Sequence, residues 1–456
     1  MDSESDFLLL PFKRKFQWGW HLKATAFARS LALAKLAAQV GLKEFSSGDM
    51  KSRVEQALLI TNSLSSLKGA AMKAGQILSL DLNHYFPPEA VQILIQLQSS
   101  ATAHTLEQMQ SVLKKELELS KRAKLTNLSE RPIGVASIGQ VHRASYKGRD
   151  IVLKIQYPEV SDSIDSDLKI LKTIAFSFCQ LSGRKMNLEP LFNEFRTILN
   201  QEVDYQQEAD LQKKYQMCTL NLKTSKRINY RVPTIIDELS TRNVLAMSFE
   251  SGLGIRDWLG TNPSNKKRTD LAHGILDLYF HEFFQWGLVQ TDPNWGNFLI
   301  DDSSDKLNLV LLDFGATRKF SKEFIESYIL LLDLAADGSS EALKNHAVKF
   351  GLIDSRESTS AFKAFEEMIS TAIRPFFAKK TNSGKFDFSN KNYSIDSQNA
   401  AKSLAEELIF SPPPYELIFL HRKLAGVYSI LKGLDVQLDI SEYWQQMKDL
   451  SMKKAL

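Results

Sequence analysis

The run Gln290-Thr291-Asp292-Pro293-Asn294-Trp295-Gly296-Asn297 is followed by an apolar segment, Phe298–Ile300, then by a second, Leu307–Leu312, and then by Asp313-Phe314-Gly315. Two acidic turns beside short strand-like runs are thereby placed on neighbouring loops. Phosphoryl transfer from ATP needs such a set, because its catalysis is mostly positioning and charge neutralisation, with carboxylate or amide oxygens for Mg²⁺. Asp292, with Asn297 five positions on, and Asp313 supply those groups in that order. Each piece alone is weak. Asp-Pro more often opens a turn or a helix, and Asp-Phe-Gly is only a tripeptide. Their joint order reverses that balance.

Such a site also needs a strand lysine for the nucleotide phosphates and a helical carboxylate to hold it. Lys154 lies in the apolar run Val152-Leu153-Lys154-Ile155, where an unpaired ammonium would be expensive, so a partner is expected. Glu202, Asp204 and Glu208 follow in one helical pattern, with Asp204 and Glu208 four apart and on one face. The plainer alternative is a solvated lysine at a strand end beside an exposed acidic helix. In the place of a Gly-x-Gly-x-x-Gly loop stands Gly134-Val135-Ala136-Ser137-Ile138-Gly139-Gln140-Val141-His142, a stiffer small-residue turn that can still bring N–H groups near phosphates. His142 reads as a packed strand residue rather than a base.

Composition narrows the class. The chain has 456 residues, 57 Lys+Arg against 53 Asp+Glu, and a net charge of +4, which excludes wholesale disorder and a dominant polyanion-binding character, so no nucleic-acid partner is expected. Two cysteines are too few for a disulfide scaffold or a cysteine zinc site and suggest a reducing compartment. No window supplies the roughly 18 apolar residues of a spanning helix. Asp2, Glu4 and Asp6 are unlike a secretory or transit signal, so a cytoplasmic chain is expected, with peripheral attachment to an inner membrane as an option. Lys13-Arg14-Lys15 before Phe16, Trp18 and Trp20 suits a membrane surface of anionic lipid, and equally an ordinary amphipathic helix.

Along the chain, residues 50–124 read as helical with a break at Phe86-Pro87-Pro88. Gln140–Ser145 and Ile151–Gln156 form a predicted hairpin around a loop of residues 146–150. A long helical stretch, 162–217, is interrupted near Gly183 and Pro190, and strands recur at Thr234–Asp237 and Val244–Phe249. The region after Asn265 is mainly helical, with Asn382–Ser397 expected as a mobile loop.

These motifs, with Lys68-Gly69-Ala70-Ala71-Met72-Lys73-Ala74-Gly75-Gln76, Lys154-Ile155-Gln156-Tyr157-Pro158, Glu202-Val203-Asp204 and Leu311 to Arg318, resemble the UbiB/ADCK family of atypical kinases, in particular its coenzyme-Q-biosynthesis branch. The resemblance runs from about Lys68 to Leu420-His421-Arg422-Lys423-Leu424. It implies an α+β, two-lobed protein-kinase-like fold, divided as 1–49 (N-terminal segment), 50–130 (helical extension over the active site), 131–252 (small lobe) and 253–456 (large lobe). It also implies that Lys154 contacts the α/β phosphates with Glu208 as partner, and that Lys73 and Gln76 face Glu202 and Asp204 where a peptide substrate would otherwise bind. Asp292 takes the catalytic-loop position, and Asn297 with Asp313 ligates Mg²⁺. Gly134, Val135, Ala136, Ser137 and Met247 join Lys154 around ATP. The family is associated with ATP hydrolysis, stimulation by lipid, and support of ubiquinone biosynthesis, so isoprenoid or anionic lipid and quinone-biosynthesis enzymes are the implied partners. A phosphotransferase of the aminoglycoside or choline kinase type and a nucleotide-binding pseudokinase scaffold remain as alternatives. Gly134-Val135-Ala136-Ser137 departs from the family's usual Ala-Ala-Ala-Ser, so selectivity between ADP and ATP is not implied.

Overall fold

The structure is a computed structural model and describes residues 104–136, 138–158, 160–181, 189–220, 222, 227–292, 294–380, 384–410 and 415–452. All of them belong to one compact unit. Lys73, Gln76, Ser137 and the Lys13–Trp20 segment lie outside the described residues.

The small lobe is built on an antiparallel sheet of β1 (Leu125–Thr126), β2 (Gly134–Val135), β3 (Gly139–Tyr146) and β4 (Arg149–Gln156). The next strand, β5 (Ile228–Arg231), leaves for another sheet, and β6 (Val244–Ser248) returns to pair with β4. Tyr146 pairs with Arg149 across Lys147-Gly148, whose φ values of 51° and 76° give a two-residue hairpin turn. The predicted loop of residues 146–150 therefore contracts, because a residue pair with positive φ matches the twist of the strands. Ile151 to Gln156 are all buried, as befits a strand flanked on both sides. Gly139 is required here: a Cβ would lie 2.5 Å from Ile155 O and 2.6 Å from Tyr205 Oη.

Helix α1 (Leu106–Glu116) opens with a Thr105–Gln108 capping box and packs on β4 through the fully buried Met109. The Glu116 carboxylate accepts from Thr241 Oγ1 at 2.6 Å and Asn243 Nδ2 at 2.8 Å. With β1 paired to β3, the small lobe thus draws on residues before 131. After α2 (Leu119–Arg122) come α3 (Val160–Leu181), α4 (Glu189–Glu202) and α5 (Tyr205–Leu220). Helix α3 ends at Leu181 and α4 begins at Glu189, on either side of the expected interruption, with Pro190 in the first turn of α4, where its missing N–H costs nothing; a further break falls at Val203-Asp204. Glu202, Asp204 and Glu208 are therefore not on one helix, as their spacing suggested. Asp204 Oδ1 accepts the N–H groups of Gln206 and Gln207 at 3.1 and 3.3 Å and so caps α5.

In the large lobe, β5 runs parallel to β10 (Leu307–Leu311), which pairs antiparallel with β9 (Phe298–Asp301), and β9 pairs with β7 (Leu253–Gly254). A two-stranded ladder joins β8 (Leu288–Gln290) to β11 (Thr317–Lys319). Helices α6 (Ile255–Gly260) and α7 (Asn265–Phe280) precede a π-helical turn, His281–Trp286, that ends at Gly287 with φ 60°. Then follow α8 (Lys322–Ala336), α9 (Ser340–Lys349), α10 (Thr359–Ile373), α11 (Lys391–Glu407), α12 (Tyr415–Gly433) and α13 (Ser441–Met452). The Phe283 ring meets those of Phe320, Phe324 and Tyr328 edge to face in this core. The segment expected as a loop, 382–397, instead holds a short strand, Phe386–Asp387, and the start of α11, capped by Asn390. Its composition is polar because α11 buries few residues, among them Ala400, Leu404 and Ala405. The whole is α+β and two-lobed, as expected.

Candidate active site

Between the lobes lies a cleft of about 640 Å³ whose lining includes Gly134, Val135, Ala136, Lys154, Glu202, Met247, Asp292, Asn297 and Asp313. Val141, Val152, Leu299 and Leu312 add an apolar wall. Of the residues assigned to the nucleotide, Ser137 lies outside the described set; the others line this one space.

Lys154 sits at the centre. Its Nζ lies 2.7 and 2.9 Å from the two Glu208 carboxylate oxygens and 3.7 Å from Asp313 Oδ1, and the Tyr205 ring lies 5.1 Å away. Burial alone would depress the Lys154 ammonium, but Asp313 and Glu208 outweigh it and hold the group well above its ordinary value. The lysine therefore stays charged in a site where an isolated ammonium could not. A Cβ at Gly315 would lie 3.4 Å from Asp313 Oδ1, 3.4 Å from Glu208 Oε2 and 3.5 Å from Glu202 Oε2, so three carboxylates converge on that glycine. Glu202 belongs to this cluster. Asp204, spent on the α5 cap, is not among the cleft-lining residues.

The two acidic loops are stitched together. Thr291 N and Oγ1 both donate to Ala316 O, at 3.2 and 2.7 Å, and Leu312 N donates to Asn297 O at 3.0 Å. Gln290 Nε2 donates to Asp292 O at 2.9 Å and to Asp313 O at 3.2 Å, so one side chain holds both backbones. Asn297 Nδ2 donates to Asp292 O at 2.8 Å, which leaves the side-chain oxygen as the group available to a cation. Asp313 Oδ1 accepts from Gly315 N at 3.0 Å. A carboxylate and an amide oxygen lining one cleft are hard oxygen donors of the kind Mg²⁺ takes, together with substrate phosphates and water.

Helix α12 supplies what sequence reasoning did not assign. Arg422 Nη2 donates to Asp292 Oδ1 at 2.7 Å, with both side chains largely buried. Lys423 Nζ is 2.7 Å from Glu282 Oε2 in the π-helical turn, and these side chains are 3% and 0% exposed. Gly433 admits the Trp295 indole, which a Cβ would meet at 2.1 Å. The available signal was a charge inside an apolar run: Glu282 between Phe280 and Phe283-Phe284, and Lys423 between Leu420 and Leu424. His142 is fully buried between Ser129 O and Gln140 Nε2, each at 2.8 Å, a structural strand residue.

The ABC1 atypical kinase-like domain profile matches residues 96–347. Among curated proteins, the chain is 33% identical over 392 residues to rat "Atypical kinase COQ8B, mitochondrial", covering 85% of this chain and 70% of that one. It is 32% identical over 390 residues to the Saccharomyces cerevisiae "Atypical kinase COQ8, mitochondrial", covering 85% and 75%. It is 30% identical over 405 residues to "Probable serine/threonine-protein kinase abkA" of Dictyostelium discoideum, covering 86% and 71%. Among solved structures, the Rv3197–erythromycin complex of Mycobacterium tuberculosis superimposes with a TM-score of 0.57 at 23% identity, over 87% of this chain and 96% of that one, a likeness of fold. No helix among the described residues is long and apolar enough to cross a membrane. The two COQ8-type relatives are named as mitochondrial, so they lend no support to the cytoplasmic placement expected from the N-terminal acids.

Proposed function

Because the chain belongs to the ABC1 atypical kinase-like family, we propose that it is a Mg²⁺-dependent kinase-like ATPase that supports ubiquinone or a related isoprenoid-lipid synthesis. The observation that carries this reading is the contact of Lys154 with both Glu208 and Asp313 in a cleft that also holds Asn297. Lys154 would take the α/β phosphates, with Glu208 fixing its position. Asp313 and Asn297 would hold Mg²⁺, which when bound neutralises phosphate charge. Gly134, Val135, Ala136 and Met247 would border the nucleotide, with Ser137 beside them. Gly134 tolerates a side chain on steric grounds, since a Cβ there meets only Val141, at 3.8 Å.

Hydrolysis is favoured over transfer by one contact. An acceptor hydroxyl would have to share Asp292 with Arg422, whose guanidinium already donates to it at 2.7 Å. A water needs far less room at that carboxylate than a peptide or sugar hydroxyl. Lys73 and Gln76, in the role the resemblance gives them, would further close the cleft to a peptide. The test is ATP turnover by the full chain with and without anionic liposomes and quinone-precursor mimics, with all products identified. Mg²⁺-dependent release of phosphate with no phosphorylated acceptor is expected. Stoichiometric phosphate on an amino alcohol or sugar would make it a phosphotransferase, and nucleotide binding without turnover would make it a scaffold.

A pH dependence follows from Glu208. Burial pushes its carboxyl up to about 7, against the opposing pull of Lys154. As pH falls through that value the group takes up a proton, and Lys154 loses the nearer of its two charged partners. Turnover is expected to fall on the acid side with an apparent pKa of about 7. Glu208→Gln, which cannot ionise, should show lower kcat/KM and no such limb. A limb unchanged in that variant assigns the titration to another group.

A further inference from the structure

Beneath the two acidic loops is a cavity of about 10 Å³, lined by Tyr215, Glu282, Gln290, Asn297, Asp313 and Lys423 among others. Two polar atoms on these residues, Tyr215 Oη and Gln290 Oε1, are buried and have no hydrogen-bond partner among the described residues, and Glu282 Oε1, on a carboxylate that also feels Lys423 and the Gln290 N–H, has no well-formed hydrogen bond either. Leaving such atoms unsatisfied carries a desolvation penalty that one shared partner would remove. The orientation of Gln290 is forced. Its Nε2 donates to the carbonyls of Asp292 and Asp313, and turning the amide over would set its oxygen against two other oxygens. Gln290 Oε1 therefore faces away from the loops.

The volume is at the size of a single water, and the donors and acceptors balance for one. A water can give one hydrogen to Gln290 Oε1 and the other to Glu282 Oε1, and accept the Tyr215 hydroxyl proton. That makes three bonds, the usual number for a buried water. Tyr215 belongs to α5, the helix that carries Glu208, and its ring packs on Phe314 at 4.9 Å and on Trp286 at 5.5 Å. Glu282 is tied to α12 through Lys423.

We propose that this cavity is a water site, and that the water joins α5 and the Glu282–Lys423 pair to Gln290, which is a positioning residue for the loops of Asp292, Asn297 and Asp313. The functional half of the proposal rests on the Mg²⁺–nucleotide reading of the cleft; the water itself does not. Through it, the helix that sets Lys154 and the loops that would hold the metal share one hydrogen-bonded junction.

Two measurements test it. A high-resolution crystal structure of the full chain is expected to show an ordered water within about 3.2 Å of both Gln290 Oε1 and Tyr215 Oη. Lys423 Nζ bonded directly to Gln290 Oε1 instead would overturn the site. Tyr215→Phe keeps the ring contacts and removes only the hydroxyl. Its Mg²⁺ concentration for half-maximal turnover should rise about three- to tenfold, the loss of one net hydrogen bond, with nucleotide-binding stoichiometry unchanged. A lower melting temperature with unmoved Mg²⁺ dependence would mark Tyr215 as merely structural and overturn the positioning role. A wild type without Mg²⁺–nucleotide turnover would sink the ATPase reading and the positioning claim together, while the diffraction result decides the water site by itself.

Discussion

Lys423→Met is expected to lower the unfolding free energy by about 3–5 kcal/mol, the usual cost of stranding one member of a buried ion pair. The pair is 3% and 0% exposed, so bulk solvent cannot take over from the ammonium. Burial pushes the Glu282 carboxyl up to about 7 even with Lys423 opposing it, so without the lysine the acid would be driven to its neutral form. Chemical denaturation of the single variant and of Lys423→Met/Glu282→Leu separates pair from packing. The double variant should recover much of the loss, because two apolar groups of similar volume replace two desolvated charges. A single variant as stable as wild type would mean that the pair is not buried in solution.

Asp313→Asn is expected to reduce Mg²⁺-dependent ATP turnover by about 10³-fold, the scale of losing one preorganised electrostatic stabiliser, because the amide would hold the charge-neutralising Mg²⁺ less well than the carboxylate. The replacement keeps a side-chain oxygen that can accept from Gly315 N, now at 3.0 Å, so the loop has no reason to rearrange. Lys154 retains Glu208 at 2.7 Å. The melting temperature should therefore stay close to that of wild type while turnover collapses. Turnover within tenfold of wild type would remove Asp313 from the metal site.

The strands and the acidic loops were legible because their chemistry is local. The apolar run around Lys154, the Gln290–Asn297 turn and Asp313-Phe314-Gly315 each declare themselves within a few residues, and the structure brings them to one cleft. That Lys154 has a carboxylate partner was legible one step further, since a buried ammonium requires one, but the choice of Glu208 from Glu202, Asp204 and Glu208 came from the family resemblance. What failed was periodicity where helices meet. Asp204 and Glu208 keep the four-residue spacing of one helix face although a break falls at Val203-Asp204, and only the cap made by Asp204 reveals it. In the same way, α11 hides in a polar stretch because so little of it is buried. The clamp that α12 puts on Asp292 was out of reach for a different reason: Arg422 meets Asp292 across 130 positions, and no local pattern encodes that.

That separation also bears on the order of folding. Contacts closed over such distances form late, since the entropy of a long loop is lost before the contact rewards it. The Asp292 loop is thus assembled early from β8 to β11, but its acid is locked only when α12 docks through Arg422, Lys423 and Gly433. A nascent or refolding chain would pass through a state with Lys154 and Glu208 in place and Asp292 still unclamped. In pulse-labelled hydrogen exchange, amides of β3 and β4 should gain protection before those of Trp295–Asn297, and the latter should gain it together with α12. Simultaneous protection of all three would show that the two lobes close in one step.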